Sequence, residues 1–87
     1  MKYSIDDLAN KAFAGKRFIA SEFSKGDDQI FDINGENPIL TKELYGKTIR
    51  DVSIVPYEYR DAGLGLKFEG LENRYFFYDN DYITVED

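Results

Sequence analysis

The chain has 87 residues with a formal net charge of −6; fourteen are Phe or Tyr, and none is His, Cys or Trp. This composition excludes disulfides, thiol catalysis, histidine acid–base chemistry and the usual soft-metal sites. The charge disfavours direct binding to nucleic acid and favours basic protein surfaces. The length and the apolar content predict one domain over residues 1–87 with an aromatic-rich core.

A short amphipathic helix is predicted near the N-terminus. Ser4 is a suitable N-cap, Asp7 follows it at the third position, and Gly15 can end the helix. The residues at helical spacing between them are Ile5, Leu8, Ala9, Ala12 and Phe13. Because so short a helix does not persist alone, we expect its apolar face to pack on a sheet.

A β-hairpin is predicted next. The strand-like runs 18–23 and 29–33 are separated by a glycine-containing break of hairpin length. The Asn-Gly and Asn-Pro pairs in residues 34–38 end the second run. Residues 41–45 then predict one helical turn that stops at Gly46.

The C-terminal half predicts a β-meander. Val52 and Ile54 alternate with Ser53 in the run 51–57, and residues 64–69 show the same alternation along their whole length. The run 74–78, which is aromatic from residue 75 onward, follows a turn. Alternate residues of a strand face opposite ways, so we expect either residues 75 and 77 or residues 76 and 78 to fill the core. Residues 82–85 form a last short strand. The predicted fold class is therefore α+β, with the N-terminal helix packed on a four- to five-stranded, mostly antiparallel sheet.

Two segments partly match ligand-binding loops. Residues 46–48 read like the end of a phosphate-binding P-loop, but Thr41 stands where its first glycine is needed. Residues 32–43 match a calcium loop at several oxygen positions, but Asn37 stands at the obligatory glycine. Asp79 and Asp81 are a carboxylate pair that could do acid–base work, but the sequence shows no nucleophile, oxyanion donor set or metal cluster to complete a site. We predict that the protein is not an enzyme and has no cofactor and no metal.

Negative charge is concentrated toward the C-terminus. Residues 58–87 carry eight acids and three bases, and no base follows Arg74. Tyrosines beside acids are typical of surfaces that bind basic proteins. The predicted partner-binding residues are Glu58, Tyr59, Asp61, Asp79, Asp81, Tyr82, Glu86 and Asp87. The alternative is that these side chains only keep the protein soluble.

The predicted function is inhibition by a small acidic protein. The expected partner is a larger protein with a basic surface, such as a nuclease or another nucleic-acid enzyme. In size and acidic composition, though in no sequence motif, the chain is similar to phage-encoded anti-CRISPR and other anti-defence proteins. A toxin-neutralising immunity protein is an alternative. So is a non-catalytic structural or regulatory module that dimerises through a C-terminal edge strand.

Location and oligomeric state are less constrained. No apolar run approaches the roughly 20 residues of a membrane span, and no signal peptide is recognised, so no membrane association and a cytoplasmic location are expected. The chain is compatible with a monomer or a homodimer.

Overall fold

Short antiparallel strands build the protein in the computed structural model, which describes residues 14–55, 63–78 and 80–87, and the backbone of residues 2–4. The strands are β1 (Lys2–Ser4), β2 (Arg17–Ser21), β3 (Gln29–Ile30), β4 (Ile39–Leu40), β5 (Ile49–Val55), β6 (Gly63–Phe68), β7 (Arg74–Tyr78) and β8 (Tyr82–Glu86). A 3-10 helix, Thr41–Leu44, lies between β4 and β5.

The described strands form three sheets, ordered β1-β8-β2, β3-β4 and β5-β6-β7. Backbone hydrogen bonds continue between these sheets. The amide of Gly46, ahead of β5, donates to the carbonyl of Phe18 in β2 (2.7 Å), and the amide of Phe76 in β7 donates to the carbonyl of Phe31 (2.8 Å). The strands therefore follow one another around a shared interior.

The hydrophobic core fills this shared interior. The ring of Phe18 contacts those of Phe68 and Phe77, with centroid distances of 5.8 and 5.7 Å. Each such ring stabilises the fold by about 1.5–3 kcal/mol through removal of apolar surface from water. Around them pack the buried side chains of Ile30, Leu44, Ile49, Leu64, Leu66, Tyr75, Ile83 and Val85.

Gly63 and Gly65 in β6 leave room for side chains on the face of the meander that is turned away from the core. A Cβ at Gly63 would lie 2.3 Å from the Phe77 carbonyl oxygen and 2.7 Å from the Phe76 ring. Phe76 is consequently buried, although it faces away from the core pair Tyr75 and Phe77. Burial of residues 75 and 77 follows the expected alternation, whereas Phe76 is covered as well and only Tyr78 of the run is exposed.

The predicted fold class is wrong. The described residues make an all-β globule of small antiparallel sheets instead of a helix on one four- to five-stranded sheet. Ser4, the expected helix cap, ends strand β1, and the longest helix in the described ranges is the four-residue Thr41–Leu44. The predicted helical segment 5–13 lies outside the described residues. Within the described ranges, no helix has the length and apolar character to cross a membrane.

Strand pairing is partly as expected. The β5-β6-β7 meander is confirmed. The hairpin between residues 18–23 and 29–33 is wrong, because β2 pairs with β8 and β3 pairs with β4. Strand β8 is central in its sheet, with β1 on one side and β2 on the other. Strand β8 is therefore not an edge strand of its sheet, and the alternative of a dimeric module stays a prediction.

The close approach at Gly63 predicts a destabilising Gly63→Ala variant. The new methyl group would press on backbone and on an aromatic ring, so the free energy of unfolding should fall by about 1–3 kcal/mol or more. In the Gly26→Ala control the added Cβ meets only Lys42 Cβ, at 3.9 Å, and the change should stay below about 1 kcal/mol. Urea unfolding of both variants measures the difference; equal midpoints would contradict the packing described.

Candidate partner-binding site

The acids at the C-terminus are paired with bases from the start of β2. Glu86 and Asp87 are exposed. Arg17 Nη2 donates to Glu86 Oε1 at 2.5 Å, and the ammonium of Lys16 donates to the carboxylate of Asp87. The register of β2 against β8 places Arg17 directly opposite Glu86. The negative potential expected at this end of the chain is consequently reduced by neighbouring positive charge.

Two exposed carboxylates have lowered pKa values for the same reason. The hydrogen bond from Lys16 lowers the pKa of Asp87, and its positive charge adds to the effect. The hydrogen bond from the guanidinium of Arg74 likewise lowers the pKa of Asp51. Exposed pairs of this kind contribute little to stability and are screened by salt.

Asp81 is not a surface residue. It is 2% exposed, and its carboxylate accepts four hydrogen bonds. Oδ2 receives the hydroxyl of Ser21 at 2.5 Å, while Oδ1 receives the amides of Glu22 (3.2 Å), Phe23 (3.2 Å) and Tyr82 (2.7 Å). The side chain therefore ties the turn before β8 to the end of β2 and is not the exposed acid that the sequence predicted.

Tyr82 is the predicted site tyrosine that the structure leaves at the surface, with 45% exposure. It lies on the outer face of β8 with Thr84, beside Ala20 and Glu22, along an open depression of about 300 Å³. The structure thus brings Tyr82 and Glu86 onto one strand face, since alternate residues of β8 point the same way. The remaining predicted contacts, Glu58, Tyr59, Asp61 and Asp79, lie outside the described residues.

The larger excess of negative charge in the described ranges lies earlier in the chain. Residues 22–43 carry six acids and two bases, a net of −4 out of the total of −6. Backbone hydrogen bonds hold the two ends of this segment together: the amide of Lys42 donates to Gly26, and the amide of Thr41 donates to Asp28. Asp27 and Glu43 are exposed there, although Asp27 is paired with Lys42 at 3.0 Å. Asp32 is buried, and without it five acids and two bases remain, so this part of the surface carries a net charge of −3.

Beside this acidic segment is an aromatic cleft of about 170 Å³ between residues 24–31 and the end of β7. Phe31 and Tyr78 are 41% and 48% exposed, whereas Ile30 and Phe76 beneath them are buried. The rings of Tyr78 and Phe76 meet edge to face with their centroids 5.0 Å apart. The residues that line this aromatic cleft are Ser24, Gln29, Ile30, Phe31, Phe76, Phe77, Tyr78 and Asp81.

The predicted site residues did not include Phe31 or Tyr78. A usable signal was present at Phe31, because Ile30 and Phe31 are adjacent apolar residues of one extended segment and must face opposite ways. With Ile30 in the core, Phe31 faces outward beside Phe76. Neither composition nor charge counts identify such a residue, since its exposure depends on which neighbour is buried.

In the segment 32–43, which partly matches a calcium loop, the carboxylate of the first residue accepts hydrogen bonds from the chain itself. Asp32 is buried, and its Oδ1 accepts the amides of Asn34 and Glu36, each at 2.9 Å. Its Oδ2 accepts the side-chain amide of Asn37 at 2.8 Å. This pattern is that of a turn stabilised by an aspartate. In the described residues, no group of three or more His, Cys, Asp or Glu side chains is placed to hold a metal ion.

Comparisons of the chain with protein families, with curated protein sequences and with solved structures find no match.

Removal of the Asp81 carboxylate should destabilise the fold strongly. Asp81→Ala leaves a hydroxyl and three amides without their acceptor, at about 1–3 kcal/mol for each group that water cannot reach. We expect a loss of at least about 3 kcal/mol in the free energy of unfolding. Glu72→Ala, which removes an exposed carboxylate, should stay within about 0.5 kcal/mol. Urea unfolding distinguishes the two; similar midpoints would show that Asp81 is dispensable.

The Asp51–Arg74 pair should be visible in an acid titration. Arg74→Gln should raise the pKa of Asp51 toward its ordinary value, while the pKa of Asp87 stays lowered by Lys16. Because the folded pKa is depressed, the stabilisation is present above the unfolded pKa of about 3.9 and is lost as pH falls through the folded pKa. Carbon-13 NMR of the carboxyl groups measures both; an unchanged Asp51 titration would refute the assignment.

Proposed function

We propose that this protein is a non-catalytic inhibitor that docks on a basic surface of a larger protein. The supporting observation is the aromatic cleft, in which exposed Phe31 and Tyr78 lie beside the acidic segment 22–43. Aromatic side chains anchor protein interfaces because they bury much apolar area with few rotatable bonds. Acids around such an anchor accelerate encounters with lysine- and arginine-rich surfaces.

The interface extends beyond the cleft. A standard protein interface covers about 800 Å² on each partner, and the whole surface of this chain is 5208 Å². The aromatic cleft is one part of such a footprint, and the acidic loops near Asp27 and Glu43 supply its rim. Rim acids contribute mainly to the association rate and to salt sensitivity, whereas the central rings contribute to the lifetime of the complex.

The partner that fits best is an enzyme that handles nucleic acid, such as a nuclease. These enzymes hold the phosphate backbone in grooves rich in lysine and arginine, and an acidic protein lying across the groove excludes the substrate. This is the action of the anti-defence inhibitors that the chain resembles in size and composition. The proposal places the encounter in the cytoplasm.

A capture experiment with matched variants tests the proposal. Three proteins are immobilised: the wild type, the double variant Phe31→Ser/Tyr78→Ser and the control Ile54→Ser. Each is incubated with lysate of the host cell, that is, the cell in which the protein is made. Ile54 is a suitable control because it is a large apolar side chain that is 71% exposed. We expect a protein with a basic surface to be retained by the wild type and the control, and at least tenfold less by the double variant.

Salt dependence and inhibition complete the test. Retention should weaken between about 0.05 M and about 0.5 M salt because screening shortens the range of the acidic field. The purified partner should lose nucleic-acid processing when the wild type is added. Equal retention by the double variant would overturn the proposal. So would a stable homodimer in light scattering that the double variant, but not Ile54→Ser, dissociates.

A further inference from the structure

The aromatic cleft has the size of a single side chain. Pockets for drug-sized ligands and cofactors have volumes of roughly 300–1,000 Å³. A cavity of roughly 150 Å³ holds one benzene molecule. At about 170 Å³, the aromatic cleft matches one amino-acid side chain and is too small for a cofactor. Its occupant is therefore a group that projects from a larger molecule.

The cleft also contains a buried carboxylate that has no positive partner among the described residues. Asp81 lines the cleft, and the groups that donate to its carboxylate are neutral: one hydroxyl and three backbone amides. The ammonium of Lys25 reaches the carbonyl of Ser21 at 3.4 Å instead. No lysine or arginine in the described part of the chain forms an ion pair with Asp81.

The carboxylate of Asp81 retains capacity for a further donor. An ionised carboxylate has about four acceptor positions, two on each oxygen. Oδ1 already receives three amides, whereas Oδ2 receives only the hydroxyl of Ser21. A buried charge lacks the compensation that water provides, so an incoming cationic donor is favoured there more strongly than at the surface.

The rings at the mouth of the cleft suit the same cation. The faces of Phe and Tyr rings carry partial negative charge and attract lysine and arginine, and more often arginine. The planar guanidinium group stacks on such rings, is weakly hydrated and offers five donors. Phe31 and Tyr78, which are partly exposed and line the same cleft as Asp81, therefore suit a guanidinium group better than an ammonium group.

We propose that the aromatic cleft is a recognition pocket for an arginine side chain of the partner protein. The arginine enters between Phe31 and Tyr78 and donates to the carboxylate of Asp81. The inference rests on the proposed function, because the partner's basic surface supplies this arginine. It makes a narrower claim, that the cleft selects a cationic side chain and not a neutral one of the same shape.

A pair of short peptides tests the pocket directly. The probe is Gly-Arg-Gly with both ends blocked, and its control contains citrulline, which has nearly the shape of arginine but no charge. In NMR titrations of the wild type, the ring signals of Phe31, Phe76 and Tyr78 should shift saturably in the millimolar range with the arginine peptide. The citrulline peptide should bind at least tenfold more weakly. Equal shifts from both peptides, shifts mapping elsewhere or no saturable shift would each overturn the inference.

Variants of the rings make the test independent of the stability role of Asp81. Phe31→Ser and Tyr78→Ser, each shown to be folded by circular dichroism, should weaken arginine-peptide binding at least fivefold, and Ile54→Ser should leave it unchanged. Unchanged binding in both ring variants refutes the pocket.

The two proposals can fail separately. If the arginine peptide binds the cleft but host-protein retention ignores Phe31 and Tyr78, the proposed function fails and the pocket stands. If retention needs those rings but the cleft does not distinguish arginine from citrulline, the pocket is refuted and the function stands.

Discussion

The carboxylate of Asp81 is the interaction on which much of this structure depends. It collects donors from two segments that are about 60 residues apart in the chain, with Ser21 on one side and Tyr82 on the other. These bonds determine where β2 ends and where β8 begins. They also hold Ser24, which follows the amides that Asp81 accepts, at the wall of the aromatic cleft. One acidic side chain thereby links the pairing of the β1-β8-β2 sheet to the shape of the candidate binding site.

Asp32 has a similar role on the other side of the cleft. Its carboxylate organises the turn after Phe31, and its backbone joins the edge of β7 through the bridge to Tyr75. Both buried aspartates therefore act as connectors between loop backbone and sheet. Since buried carboxylates are expensive unless they are hydrogen-bonded, the donors around them fix the local conformation of the loops. Phe31 is consequently presented beside a hydrogen-bonded turn, and Tyr78 is presented from strand β7.

Sequence patterns identified the strands better than their partners. The alternation in residues 64–69 and the aromatic run of β7 correctly indicated a meander, because each of its strands pairs with the next one in the chain. Pairing of β2 with β8 joins opposite ends of the chain, and no local pattern specifies it. The α+β class failed for a related reason: no local pattern shows that Lys2–Ser4 is a strand, or that β1, β8 and β2 form a small sheet separate from the meander. Acid counts likewise could not show that Asp81 is inside or that Arg17 and Lys16 lie beside Glu86 and Asp87.

The central position of β8 has a consequence for biosynthesis. This strand contains residues 82–86, and both β1 and β2 pair with it. Before residues 82–86 have been made, β1 lacks the strand with which it pairs, and β2 has, among the described residues, only its backbone contacts with residues 46–48. The β1-β8-β2 sheet therefore assembles only after translation has passed this point, and such long-range closure is slow compared with forming a local hairpin.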